Sequence, residues 1–227
     1  MAASTAPTLR VEKRLLRAGH QRVGCIDEVG RGALGGPATV GVVVVDGAVR
    51  RPLAGVRDSK LLRPAARHDL VPRIERWAAA SAVGHAGAAE VDEYGIVGAL
   101  RLAAHRALAA LPTDVDVVLL DGSHDWLTPP AAAGLFDPDA VVAGPTPPVV
   151  TLIKADLTCA GVAAASVLAK CARDALMIDL ARRHPEYGWD ENKGYASPTH
   201  LDALRRLGPC DEHRRSWNLP TAVGSLR

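Results

Sequence analysis

Three apolar runs in this 227-residue chain each stop at an acid. "VGCIDE" ends at Asp27 and Glu28, "DVVLLDG" at Asp121 and "PVVTLIKAD" at Asp156. Short runs of β-branched and aliphatic residues bounded by glycine or charge are strand signals, and an unbroken run suits a strand buried on both faces. In an open α/β sheet, sites gather at strand ends, where loops converge. One acid there commonly caps a helix or faces water in a turn. Three such ends in one chain favour a shared site over three separate turns.

The segments between these runs complete an α/β pattern. "ATVGVVVVDG", Ala38–Gly47, predicts a second strand joined to the first by Gly30–Pro37 and closed by an Asp46-Gly47 turn. "SAVGHAGA" from Ser81 predicts a third. Helices are expected over Glu12–Ala18, near His68–Ala80, over Val91–Leu111, over Thr158–Arg183 and from about Thr199 to Leu207. In the third of these, Ile96, Leu100, Ala103, Ala107 and Leu111 fall at helical spacing. Thr128–Pro148 holds six prolines and is expected to be a long loop. Residues 1–8 are small and polar and are expected to be unstructured. With no repeat and no linker, residues 1–227 are expected to form a single domain, with a helical C-terminal region and tail over 184–227.

The acids themselves narrow the chemistry. Neighbouring carboxylates repel unless water, a salt bridge or a divalent cation lies between them. Adjacent strand residues point to opposite faces, so Asp27 and Glu28 share a centre only if the strand twists or breaks, which Gly30 and Gly32 would allow. Four carboxylates without imidazole or thiolate favour a hard cation, Mg²⁺ or Mn²⁺. Two such ions about 3.5–4 Å apart would suit displacement at a phosphodiester. Without metal the cluster would repel itself, a hint of a functional rather than a structural role.

Bulk properties exclude other classes. The eight histidines show no H-E-x-x-H spacing and the four cysteines no C-x-x-C, so a zinc site is not expected and the thiols should be reduced and mostly buried. No stretch has membrane-spanning length, and a cytoplasmic location is expected. A net charge of +2 does not by itself mark a nucleic-acid binder. The distribution is more telling, because Arg50–Arg73 carries seven basic and two acidic residues. "GRGALGG" lacks the lysine and hydroxyl of a mononucleotide phosphate loop.

"DEVGRG" at Asp27–Gly32, "DSK" at Asp58–Lys60, "LLDG" at Leu119–Gly122 and "KAD…AAASVLAKCARD" from Lys154 to Asp174 resemble the type 2 ribonucleases H. "NKGYASPTH" at Asn192–His200 and "GPCDEHRRSW" at Gly208–Trp217 continue the likeness in the family's order. A sister group carries a long domain before the first motif, whereas 26 residues precede Asp27 here, so the resemblance is to ribonuclease HII. It implies a ribonuclease H-like α/β fold, a central mixed sheet flanked by helices with a C-terminal helical region. It implies cleavage of RNA paired to DNA and at single ribonucleotides in duplex DNA, leaving 3′-hydroxyl and 5′-phosphate ends. By motif position Asp27, Glu28, Asp121 and Asp156 would hold two Mg²⁺ or Mn²⁺ ions.

The resemblance also points to substrate contacts. Gly30, Arg31 and Gly32 would meet the ribose 2′-hydroxyl and a phosphate, with Lys60 on the phosphate backbone. Ser166, Lys170 and Arg173 lie at i, i+4 and i+7 on one helix face, opposite an expected core stripe of Ala164, Leu168, Cys171 and Ala175. Tyr195, between Gly194 and Ala196, is poorly placed for a core and would pack on the deoxyribose 3′ of the ribonucleotide. Asn192 and Ser123 stand where the family commonly has histidine and asparagine. The final "NLPTAVGSLR" shows no aromatic clamp-binding motif, and a monomer is expected.

Overall fold

A computed structural model describes residues 6–129 and 146–220. Among them a five-stranded sheet runs in the order β3-β2-β1-β4-β5, built from β1 Arg22–Val29, β2 Ala38–Asp46, β3 Ala80–Ala86, β4 Val117–Asp121 and β5 Val149–Leu152. β1 pairs antiparallel with β2 and β2 with β3, whereas β1–β4 and β4–β5 are parallel, so the sheet is mixed. The helices are α1 Arg10–Arg17, α2 Pro64–Trp77, α3 Ala88–Ala109, α4 Ala155–Thr158, α5 Ala160–Arg183, α6 Trp189–Asn192 and α7 Pro198–Leu207. No helix among the described residues is long and apolar enough to cross a membrane.

Strand parity divides the core. Val23, Cys25, Val43, Val45, Val117 and Leu119 face α5, while Ile26, Val40, Val42, Val118 and Leu120 face α3. The continuous apolar runs read from the sequence are therefore strands covered on both sides. α5 is buried on nearly all sides over Ala160–Ala169, because its alanines let it lie close to the sheet. Gly41 permits that approach, since a Cβ there would stand 2.4 Å from the Ala165 carbonyl oxygen.

Three expectations change in detail. The start of the chain is ordered by Thr8: its N–H donates to the Thr158 carbonyl and its carbonyl accepts from Ala160, both at 2.9 Å. The fifth strand stops at Leu152, and Asp156 sits in the first turn of α4 rather than at a strand end. The turn between them is made by Lys154, whose φ of 59° is left-handed. The expected single helix Thr158–Arg183 begins at Ala160, because Cys159 is extended and separates it from α4. Most of the Thr128–Pro148 loop, and the tail from residue 221, lie outside the described residues. Cys25, Cys159 and Cys171 are buried free thiols, and Cys210 is half-buried.

Candidate active site

Parity also decides which acids meet. Asp27 is two residues beyond Cys25 and Asp121 two beyond Leu119, so both point to the α5 side from neighbouring parallel strands. Asp121 Oδ1 accepts the N–H groups of Ala155 and Asp156, at 2.6 and 3.4 Å, and so draws the start of α4 onto the end of β4. That contact brings Asp156 in without needing it at a strand end. Asp121 thus caps the start of α4 from the end of β4. Glu28 follows Ile26 onto the other face, as alternation requires, yet remains in reach of the group electrostatically.

Electrostatically the acids act on one another. Burial, then the charges of Glu28, Asp121 and Asp156, hold the Asp27 carboxyl well above the ordinary carboxylate range, with Lys60 opposing. Glu28 is raised by burial, Arg31 opposing and Asp121 adding to the rise. Asp156 is raised by burial and by Asp121 and Asp58, again against Lys60. Lys60 loses some charge preference to burial, but Asp58, Asp27, Asp156 and Asp121 outweigh that and hold its pKa above the usual lysine value. Its ammonium lies 4.0 Å from Asp156 Oδ2, and Arg31 Nη1 lies 3.4 Å from Glu28 Oε1. No three acids, histidines or cysteines among the described residues close into a ready metal cage. The donor set is all carboxylate and short of positive charge, which fits a hard divalent cation.

The Gly30–Pro37 loop is organised in the opposite way, by buried cations. Arg173 on α5 is fully buried and donates to the carbonyls of Pro37, Gly35 and Lys193 at 2.8, 3.1 and 2.8 Å. Arg214 is also fully buried and donates to Arg31, Gly30 and Gly36 at 2.9, 2.6 and 3.2 Å. A buried carbonyl that loses such a donor costs about 1–3 kcal/mol. Gly30 must be glycine here: φ is +85° and a Cβ would sit 2.1 Å from Arg173 Nε. The space expected to admit a sugar at Gly30 is thus filled by Arg173. Gly32 is different, being exposed with nothing within 4 Å of a Cβ position.

Tyr195 joins the two halves. Its hydroxyl accepts the Gly30 N–H at 3.2 Å, its ring is 36% exposed, and Arg173 Cζ stands 5.4 Å from the ring centroid. Its carbonyl takes the Nδ1–H of His200 at 2.9 Å. That fixes the tautomers behind it: His200 Nε2 accepts from Trp189 Nε1 and from His213 Nε2, and His213 Nδ1 accepts from the Cys210 amide. Asn192, where the family commonly has histidine, donates to the Tyr187 carbonyl and accepts the Gly194 N–H, bracing the same loop. Among the described residues, the Ser123 hydroxyl bonds its neighbour His124.

The helix-face expectation is corrected. Ser166 and Arg173 are buried, because the Ser59–Leu61 turn and the Gly30–Pro37 loop cover that face of α5. Ser166 Oγ accepts the Ser59 N–H at 3.0 Å, which anchors the segment carrying Lys60. Lys170 is tied to Asp174 at 2.7 Å, and Ala175, expected in the core, is exposed. Arg214 was not singled out by sequence. Its partners are main-chain carbonyls, which leave no mark in residue identity.

The fold and this acid-and-loop geometry set the comparison with known proteins. A family model for ribonuclease HII matches residues 24–219. The ribonuclease HII of Streptomyces coelicolor is 44% identical, over 97% of this chain and 88% of its own. The chain belongs to the ribonuclease HII family. Among solved structures, ribonuclease H2 of Pyrococcus horikoshii superposes with a TM-score of 0.66 at 25% identity, covering 88% of this chain and 95% of that one. Bst ribonuclease HIII, solved in complex with Mn²⁺, shares the fold at a TM-score of 0.58 and 22% identity, over 82% of this chain and 61% of its own. Ribonuclease HII enzymes are endoribonucleases that degrade RNA in RNA–DNA hybrids and use divalent metal ions, so this chain is a hydrolase of that kind.

Proposed function

We propose that this chain, besides cutting RNA in hybrids, incises at single ribonucleotides within duplex DNA, leaving 3′-hydroxyl and 5′-phosphate ends. Asp27, Glu28, Asp121 and Asp156 would hold two Mg²⁺ or Mn²⁺ ions. Bound there, the ions supply the positive charge that an in-line displacement at an anionic phosphate requires. The observation that carries the reading is the hydrogen bond from Gly30 N–H to the Tyr195 hydroxyl. It sets an exposed aromatic ring beside a loop that begins two residues after Glu28. A ring there can lie flat on a deoxyribose, while a 2′-hydroxyl on that sugar would crowd it.

The protein's own groups divide the remaining work. Gly32 leaves room for close approach of a sugar, and the exposed Arg31 and Lys60 side chains lie next to the acids, where a phosphate backbone would pass. These two cations neutralise Glu28 and Asp156 in part. With the carboxylates engaged by divalent ions, Arg31 and Lys60 would be available to phosphate. Ser166, Lys170 and Arg173 support the substrate face from behind rather than forming it.

The test is a labelled duplex with one ribonucleotide, beside its all-DNA twin, in Mg²⁺, Mn²⁺ or chelator. One incision in the first duplex, ends of the stated chemistry and none in the twin are expected. Efficient nicking of the all-DNA duplex by homogeneous protein would sink the reading.

A further inference from the structure

The carbonyls of Gly30, Arg31, Gly35, Gly36 and Pro37 all turn inward onto two guanidinium groups. The Leu34 carbonyl also turns inward, to the Arg214 N–H at 3.0 Å. Amides of the same loop divide differently. Leu34 and Gly35 donate to the Gly194 carbonyl, Gly36 to Glu212 and Gly30 to Tyr195. Among the described residues, the N–H groups of Arg31 and Gly32 have no acceptor, and both residues are exposed. A backbone held by its carbonyls from one side presents its amides to the other.

We infer that Arg214 is a positioning residue for ribonucleotide recognition, clamping the loop so that the Arg31 and Gly32 amides face the bound sugar-phosphate. The inference rests on the proposed function and deepens it. Both guanidinium groups are buried without an ion pair among the described residues, each against an aromatic ring: Arg173 on Tyr195, and Arg214 on Trp217 at 4.9 Å. Burial, followed by the nearby Arg173, lowers the Arg214 pKa to about 10, so it remains charged at neutral pH. Two buried positive charges beneath an exposed amide pair make that surface receptive to an oxygen acceptor or anion. They also act without touching the acids. Only a planar fork reaches three carbonyls along one loop, so lysine, with equal charge, cannot replace it.

Arg214→Lys should keep the thermal unfolding midpoint within a few degrees and Mn²⁺ affinity unchanged by calorimetry. On both the long hybrid and the one-ribonucleotide duplex, kcat should fall at least tenfold with KM changed less than threefold. Arg214→Ala should be slower still and regain activity with millimolar guanidinium ion. Wild-type kcat in Arg214→Lys would overturn the proposal, as would a matching loss of Mn²⁺ affinity or no guanidinium rescue. If the wild type cuts the hybrid but not the one-ribonucleotide duplex, the proposed function fails, while the hybrid assay still decides the role of Arg214.

Discussion

Two regions that meet between Glu28 and Gly30 carry opposite unbalanced charge. On the strand side Asp27, Asp121 and Asp156 gather with Glu28 on the opposite strand face, Lys60 and Arg31 are nearby, and three of the four acids are held above the usual carboxylate range. On the loop side Arg173 and Arg214 are buried against carbonyl oxygens, with no carboxylate among the described residues bonded to either. Proteins rarely bury charge without a partner. On the function proposed above, a divalent cation would meet the acids and an oxygen-rich substrate the loop. The imbalance itself points to what each half receives.

The strand side should break most completely. Asp121→Asn keeps an oxygen to accept the Ala155 N–H, so α4 stays docked, while a negative charge is lost. Cleavage should fall by at least about a hundredfold, in line with removal of one preorganised electrostatic group, with the circular dichroism spectrum unchanged. A variant retaining more than a small residual rate in saturating Mn²⁺ would move the centre elsewhere.

Tyr195 tests the seam. Losing a stacking ring worth about 1–3 kcal/mol predicts a roughly ten- to hundredfold slower single-turnover rate for Tyr195→Ala on the one-ribonucleotide duplex. Tyr195→Phe keeps the ring but loses the acceptor for Gly30 N–H, a neutral hydrogen bond worth about 0.5–1.5 kcal/mol, so its loss should stay below about tenfold. Equal small losses for both variants would reduce Tyr195 to a packed side chain.

The two glycines sharpen the contrast between support and surface. Gly30→Ala meets Arg173 and a left-handed backbone and should cost about 1–3 kcal/mol in urea unfolding. Gly32→Ala enters open space and should change stability by no more than about 0.5 kcal/mol, yet slow cleavage. The same outcome at both positions would erase the distinction.

How much of this was legible beforehand follows the same division. Acids at the ends of apolar runs are visible because strand burial and chain reversal both leave residue patterns, and Asp27 and Asp121 stand where those patterns put them, whereas Glu28 faces the other side of a strand that runs unbroken to Val29. Asp156 departs from the strand-end rule, since a left-handed Lys154 and the α4 turn separate it from β5. The buried arginines were misread or missed. A helical face containing Ser166 and Arg173 looks solvent-exposed in sequence, and only the loop folded over it makes it interior.

The imidazole pair beneath Tyr195 gives the smallest expected effect. Burial, then His200, depresses His213 to about 4, against about 6.5 when unfolded. Between those values the unfolded chain takes up a proton that the folded chain refuses. The contribution of His213 to stability should therefore be complete above about pH 6.5 and be lost as pH falls toward 4, by about 1–2 kcal/mol once partial solvent screening is allowed for. His213→Gln should flatten that slope in urea melts at pH 7 and 4.5; an unchanged slope would assign it to other groups.

The division of labour is tested most directly by one Mn²⁺ titration, followed by calorimetry, of the wild type, Asp121→Asn and Arg214→Lys. Separate charge roles predict affinity weakened at least tenfold in Asp121→Asn and unchanged in Arg214→Lys. Wild-type affinity in Asp121→Asn, or an equal loss in both variants, would contradict it.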